Sequence, residues 1–230
     1  MCSFPTKGLE WETKAERSSG YNTEAPSALQ PVCWRKMSLP QMPPLQRPAR
    51  ADARRNYDLL IAAARQAFLE HGQDASLEEI ARRAGVGIGT LYRRFPNRQA
   101  LLEAVYVEEI QSMCEGALKL LDLPPYEALV TWLTDFADFA LAKSAVAREL
   151  VESLGKDSEF FASCKASIES TASLMFTRAQ EAGEIRRDVN PLDVIKLVGG
   201  MAHSSGQADE VHRMLGLVLD GLRATSPASR

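Results

Sequence analysis

Histidine and cysteine are scarce in this chain, three and four among 230 residues, and what there is of them is badly spaced for chemistry. Cys2, Cys33, Cys114 and Cys164 form no C-x-x-C pair, which argues against a zinc site or a disulfide scaffold and fits a reducing, cytoplasmic setting. His203 and His212 stand nine residues apart, off the i, i+4 spacing of a helical metal pair, and no H-E-x-x-H occurs. No apolar run reaches the roughly 18 residues needed to span a bilayer, and the N-terminus lacks the apolar core of a secretory signal. Catalytic patterns are equally thin. Ser153-Leu-Gly-Lys156 matches S-x-x-K, yet neither S-D-N nor K-T-G follows it. Glu149 and Glu152, three apart, read as a solvated helix face, and no nucleophile has a base near it in sequence. The expectation is a protein that is not an enzyme and holds no metal and no cofactor.

What is present is the composition of a soluble globular chain, 45% hydrophobic and 25% charged, long enough for one large or two small domains. The net charge is -3, but it is unevenly spread. Between Ala51 and Ala100 the arginines at 54, 55, 65, 82, 83, 93, 94 and 98 outnumber the acids. A basic segment on an acidic remainder suits local contact with phosphates.

Inside that segment, Ser76 to Phe95 reads as two short helices joined by a glycine turn. Ser76 with Glu79 makes a capping box, and Leu77, Ile80, Ala81 and Ala84 recur on one apolar face. Gly85 takes the turn, where positive φ is needed and glycine adopts it freely. Val86 plugs the turn, and a second helix runs from about Ile88 to Phe95. Its exposed face offers Gly89, Thr90, Arg93 and Arg94, while Ile88, Leu91 and Phe95 turn inward. This is the helix-turn-helix plan for the major groove. Gly85-Val-Gly-Ile-Gly89-Thr90 also has the look of a phosphate-binding loop, but it lacks the Lys-Ser/Thr ending and a preceding strand. A plain helical hairpin with a solvated arginine face is the other reading.

The run LEEIARRAGVGIGTLYRRFPNRQALLEAVY, Leu77 to Tyr106, resembles the DNA-binding signature of the TetR family of one-component regulators, and YDLLIAAARQAFLEHG, Tyr57 to Gly72, is similar to that family's first helix. The close match covers about Arg54 to Tyr106. The resemblance implies a homodimer on an operator in double-stranded DNA, with Tyr92 and Arg98 on phosphates. One departure is Gly87, where the family often has Ser or Thr as the N-cap; glycine there costs only a few tenths of a kcal/mol.

Taken in order, residues 1–50 read as a disordered extension: seven of the twelve prolines lie there among Ser, Thr, Gln and Glu. Met37 and Met42 are alternative starts, which peptide mapping of the native N-terminus would separate. Arg47, Arg50, Arg54 and Arg55 are either solvated charge or an arm reaching phosphates or the minor groove. Residues 51–106 make the helix-turn-helix domain, its first helix about Ala51 to Glu70 with Leu60, Ala63, Ala64, Ala67 and Phe68 inward. Pro96 breaks the chain and Asn97 caps a fourth helix that continues as a connector to about 121. Residues 122–225 make a helical effector-binding and dimerisation domain. Its helices are expected at Tyr126 to Ala142, Ala145 to Leu154, Ser158 to Ala182, Pro191 onward and about Asp209 to Arg223. No convincing strand is legible, so the fold class is all-α.

For DNA, Thr90 and Arg93 are expected on base edges, Tyr92, Arg94 and Arg98 on phosphates, Gly89 on the same face, and Arg54 and Arg55 beside them. Trp132, Phe136, Phe139, Phe161, Met175 and Phe176 are candidate walls of a small-molecule pocket, though each is equally an ordinary core residue. Val198, Met201, Val211, Leu215, Val218 and Leu222 are expected at a dimer interface, with Gly199-Gly200 allowing close approach. The reading is a ligand-responsive regulator, a repressor released by a small-molecule effector. The alternative is a helical dimerisation module without specific DNA binding.

Overall fold

The computed structural model describes residues 47–224, and for 143–145 the backbone only. Of the extension at 1–50, expected to be disordered, residues 1–46 lie outside the described residues, as does the end of the chain past Ala224. Eight α-helices are described: α1 (Ala51–His71), α2 (Leu77–Arg83), α3 (Ile88–Arg94), α4 (Arg98–Lys119), α5 (Pro125–Leu154), α6 (Glu159–Glu181), α7 (Pro191–Ser205) and α8 (Ala208–Leu222). Among the described residues the sole β-type pairing is an isolated bridge between Ile185 and Arg223.

The start and stop signals act as their chemistry requires. Ser76 Oγ accepts from the Glu79 amide at 3.1 Å and Asn97 Oδ1 from the Ala100 amide at 2.8 Å. Asn190 Oδ1 accepts from the Leu192 amide at 2.9 Å, with Pro191 at the first helical position. Gly85 turns at φ +65° between α2 and α3. The reciprocal half of the Ser76 capping box is not made. Glu79 instead accepts from the Arg82 and Arg83 guanidiniums at 2.7–2.8 Å, charge-assisted bonds that outcompete a neutral backbone donor.

A second difference concerns the helix expected at Ala145 to Leu154. It is not separate: α5 runs through as 30 residues. Nothing between Ala142 and Val146 is a glycine or proline, and Ala and Lys favour helix, so no local signal stops it.

Two hydrophobic cores result. The first gathers Tyr57, Leu60 and Phe68 of α1, Ile80 of α2, Leu91 of α3, Phe95, and Leu101, Leu102 and Val105 of α4. It is closed from outside the 51–106 segment, by Val146 and Leu150 near the end of α5. The second holds Ile110, Trp132, Leu133, Phe136, Met175, Phe176, Val198, Val211 and Leu215. Each such side chain taken fully out of water contributes about 1.5–3 kcal/mol. Helix α4 passes from one core to the other between Val105 and Val107.

Candidate functional site

Helix α3 shows its outer face at the molecular surface. Gly89, Tyr92 and Arg93 are exposed, and Thr90 and Arg94 are partly covered. Leu91 and Phe95 turn inward as expected, but Ile88 does not; it is 39% exposed at the first position of α3. The Arg94 guanidinium lies over the Tyr57 ring at 5.1 Å, and Tyr57 packs on Phe95 at 5.7 Å, so a cation–π contact fixes Arg94 on the face. Arg93 has no ion-pair partner among the described residues. A cleft of about 490 Å³ opens beside it, lined by Pro48, Arg50, Asp52, Asn56, Thr90, Arg93 and Arg94 among others. Arg50 is one of the four arginines that read as solvated charge or an arm; Asn56 is a contributor the sequence reading did not name. Arg54 and Arg55 are exposed nearby on α1, Arg54 donating to the Pro48 carbonyl at 3.3 Å.

Arg98 faces the other way. Its guanidinium pairs with Glu149 of α5 (Nε to Oε1, 2.6 Å), donates to the Gly72 carbonyl at 2.8 Å and to the Ala75 carbonyl, and stacks on Phe68 at 4.9 Å. Four of its five N–H donors are taken up inside the protein, and its side chain is 26% exposed. The sequence reading puts Arg98 on a phosphate and Glu149 on a solvated face; here the two side chains pair with each other. Glu152 adds a second tie, accepting from Gln73 at 3.3 Å. The end of α5 is thereby fastened to the link between α1 and α2.

A second cavity of about 490 Å³ sits in the C-terminal half, among α4, α5, α6 and α7. Of the six candidate wall residues, Phe136 and Phe161 line it. Trp132, Met175 and Phe176 are instead fully buried in the second core. Phe139 lies on a shallower recess with Arg65, Glu109 and Asp135. Walls that the sequence reading did not name include Tyr106, Val151, Cys164, Ile168 and Ile195, and the charged Lys156, Asp157, Lys165, Glu169 and Lys196. Burial pushes the Tyr106 hydroxyl and the Cys164 thiol up to about 12, so both stay neutral and neither is a nucleophile. Ser158 Oγ, buried at this wall, has no hydrogen-bond partner among the described residues. The Ser153 hydroxyl of the S-x-x-K match donates to the Leu150 carbonyl of its own helix at 3.1 Å.

The interface candidates divide. Val198, Val211, Leu215 and Leu222 are buried in the second core of a single chain. Met201 and Val218 are half-buried. The apolar residues that do face out are Leu197, 52% exposed, and Leu217, 68% exposed. Among the described residues, no atom packed from outside their own turn of α7 lies within 4 Å of where a Cβ would stand at Gly199 or Gly200. His212 pairs with Asp138 at 2.8 Å, joining α8 to α5 rather than holding a metal.

Comparison with known proteins agrees with this architecture. Residues 60–105 match the family model for bacterial regulatory proteins of the tetR family, and residues 124–224 match that of the SbtR-like transcriptional regulator C-terminal domain. The HTH-type transcriptional regulator SAR0097 of Staphylococcus aureus (strain MRSA252) is 35% identical over 71 residues, 30% of this chain and 37% of that protein, so the match spans little more than a third of the relative. The crystal structure of the TetR regulator SCO0520 from Streptomyces coelicolor is 43% identical, with a TM-score of 0.65, covering 74% of this chain and 99% of that one. A TetR regulatory protein from Mycobacterium vanbaalenii is 32% identical, with a TM-score of 0.60, over 76% and 99% of the two chains. Regulators of this kind are DNA-binding proteins and not enzymes. With a helix-turn-helix fastened to a helical half that contains a cavity, and a relative at 43% identity matched almost end to end, the chain belongs to the TetR family of transcriptional regulators.

Proposed function

We propose that the chain is a cytoplasmic, effector-responsive repressor that binds a palindromic operator in double-stranded DNA as a homodimer. Residues 51–106 act as the reading domain, α4 as connector to about 121, and 122–225 as the effector and dimerisation domain. The observation that carries this is the cleft beside α3, where Thr90, Arg93, Arg94, Arg50 and Asn56 converge and Arg93 has no ion pair among the described residues. Thr90 and Arg93 take base edges, since a hydroxyl and a guanidinium at the start of a recognition helix reach groove atoms. Gly89 admits the close approach, and Tyr92 (44% exposed), Arg94, Arg54 and Arg55 hold phosphates. Arg98 serves as an internal strut.

One α3 gives few contacts, whereas two related by a two-fold axis read half-sites about 34–36 Å apart. The outward Leu197 and Leu217, with Met201, Val218 and the open Gly200, supply the apolar face for that pairing. The cavity among α4 to α7 takes the effector, a molecule with an apolar body and a polar group for Ser158 Oγ. Val151 on its wall lies between Glu149 and Glu152, so a ligand that shifts the end of α5 pulls directly on the ties to the helix-turn-helix. The effector must bind the form without DNA more tightly, and the coupling is reciprocal.

The test is a gel-shift titration against the DNA upstream of the protein's own gene at two salt concentrations. A specific, salt-sensitive shift at dimer stoichiometry is expected. Weak binding equal on all DNA moves the operator elsewhere, and no binding at any salt leaves a helical dimerisation module.

A further inference from the structure

Arg47, the first described residue, keeps about half of its side chain in solvent, but its guanidinium reaches back to α4. Its Nε donates to Glu108 Oε1 at 2.7 Å and its Nη2 to Oε2, a bidentate pair across 61 residues of sequence. Glu108 is only 6% exposed, in the turn of α4 where the two cores meet. A carboxylate so far from water needs a cation and filled hydrogen bonds to remain charged. Tyr57, beside it on α1, stays protonated, because burial and the Glu108 carboxylate push its hydroxyl well above the ordinary range. The adjacent Glu109 pairs with Arg65 of α1 at 2.8 Å, so this turn of α4 is held from two directions.

The pair fixes more than itself. The Pro48 carbonyl, one residue on, is held by Arg54 at 3.3 Å. Pro48 and Arg50 then form one wall of the cleft whose other wall is Thr90, Arg93 and Arg94. We propose that Arg47 is a positioning residue which, through Glu108, sets residues 47–50 as the second wall of the nucleic-acid cleft and ties that wall to α4. The inference rests on the DNA-binding reading above. A sugar-phosphate strand between Arg50 and Arg94 is the partner such a two-walled basic cleft fits. Because the anchor is on α4, displacing that helix loosens the wall without any contact between effector and arm.

Full-length protein carrying Arg47→Ala, Glu108→Met or both tests this by gel shift on the operator, with thermal melting and trypsin cleavage after Arg50 measured alongside. Glu108→Met replaces the buried carboxylate by an apolar side chain of similar length, and because the Arg47 side chain is 48% exposed no buried charge is left unpaired. Its melting point is therefore expected at or above wild type while operator affinity falls about tenfold and cleavage after Arg50 quickens. Arg47→Ala is expected to lose affinity equally, and the double variant no more than either single. A Glu108→Met protein that binds as tightly as wild type overturns the proposal. So do losses that add in the double variant, since Arg47 then touches DNA itself. Absence of DNA binding by wild type removes the regulator reading and the clamp's role with it, whereas the trypsin rates still report whether the arm is docked, which keeps the two failures apart.

Discussion

The two cores use similar side chains to different ends. Around α1 to α3, Ile80, Leu91 and Leu101 are shut away completely, and the surface is tied down by charge: Arg82 and Arg83 on Glu79, Arg83 on Glu70, Arg98 on Glu149. Around α5 to α7, Trp132, Met175 and Phe176 are buried as fully, yet the helices beside them leave a cavity walled by Phe136, Phe161 and Ile168. A surface that must match a groove needs its side chains held at fixed spacing. A sensor needs a hole whose filling changes the packing around it. One kind of packing does not serve both: among the described residues, Arg93 and Arg94 on α3 have no ion pair in the first region, and the buried Ser158 hydroxyl has no hydrogen-bond partner in the second.

Truncating each core in turn sharpens that contrast most. Leu91→Ala should cost about 2–5 kcal/mol in denaturant unfolding, whereas Ile168→Ala, at a wall already facing a void, should fall at or below the low end of that range. Equal losses would mean the second region is packed as tightly as the first.

Arg98→Ala comes next. Losing its charge-assisted bonds should lower stability by about 1.5–3 kcal/mol, weaken cognate and scrambled DNA alike, and leave the salt slope unchanged. A slope reduced by about one would return Arg98 to the phosphates. Arg93→Ala is its converse: stability within about 0.5 kcal/mol of wild type, but about 1–3 kcal/mol lost on cognate DNA and little on scrambled. Parallel loss on both DNAs would remove Arg93 from base reading.

The smallest effect is electrostatic. The Arg82 and Arg83 guanidiniums hold the exposed Glu79 carboxyl at about 2, below its ordinary 4.5. A depressed pKa contributes stability that is present above about pH 4.5 and disappears as pH falls toward 2. The melting difference between wild type and Glu79→Gln should therefore shrink across that window and be smaller in high salt. A difference that does not vary with pH would show that the ion pairs contribute nothing.

Much of the reading half was legible in the sequence because its determinants are local. Ser76, Gly85 and Asn97 each act within four residues, and the inward Leu91 and Phe95 follow from helical period. The parts that were not legible depend on partners far along the chain. Nothing near Arg98 announces Glu149, 51 residues on, and nothing near Arg47 announces Glu108. The cavity escaped for another reason. Aromatic content says that Trp132 and Phe176 are buried, but whether a buried ring faces a neighbour or a void is decided by how several helices meet. At the last two helices the stripe was broad enough to read from either side, and the period alone did not say which side looks out.

The unbroken α5 has one further consequence, for which lengths of chain this protein tolerates. At 1.5 Å per residue the helix is about 45 Å long, with Phe136 at the cavity and Glu149 on Arg98. Had the chain been interrupted near residue 144, a loop there would have absorbed an added or missing residue. In a continuous helix one extra residue between Phe136 and Glu149 rotates everything beyond it by about 100°. Glu149 would swing off Arg98, and Val146 and Leu150 would leave the first core. Relatives that keep this strut should vary freely in what they bind at one end of the helix, and hardly at all in the number of residues that separates the two ends.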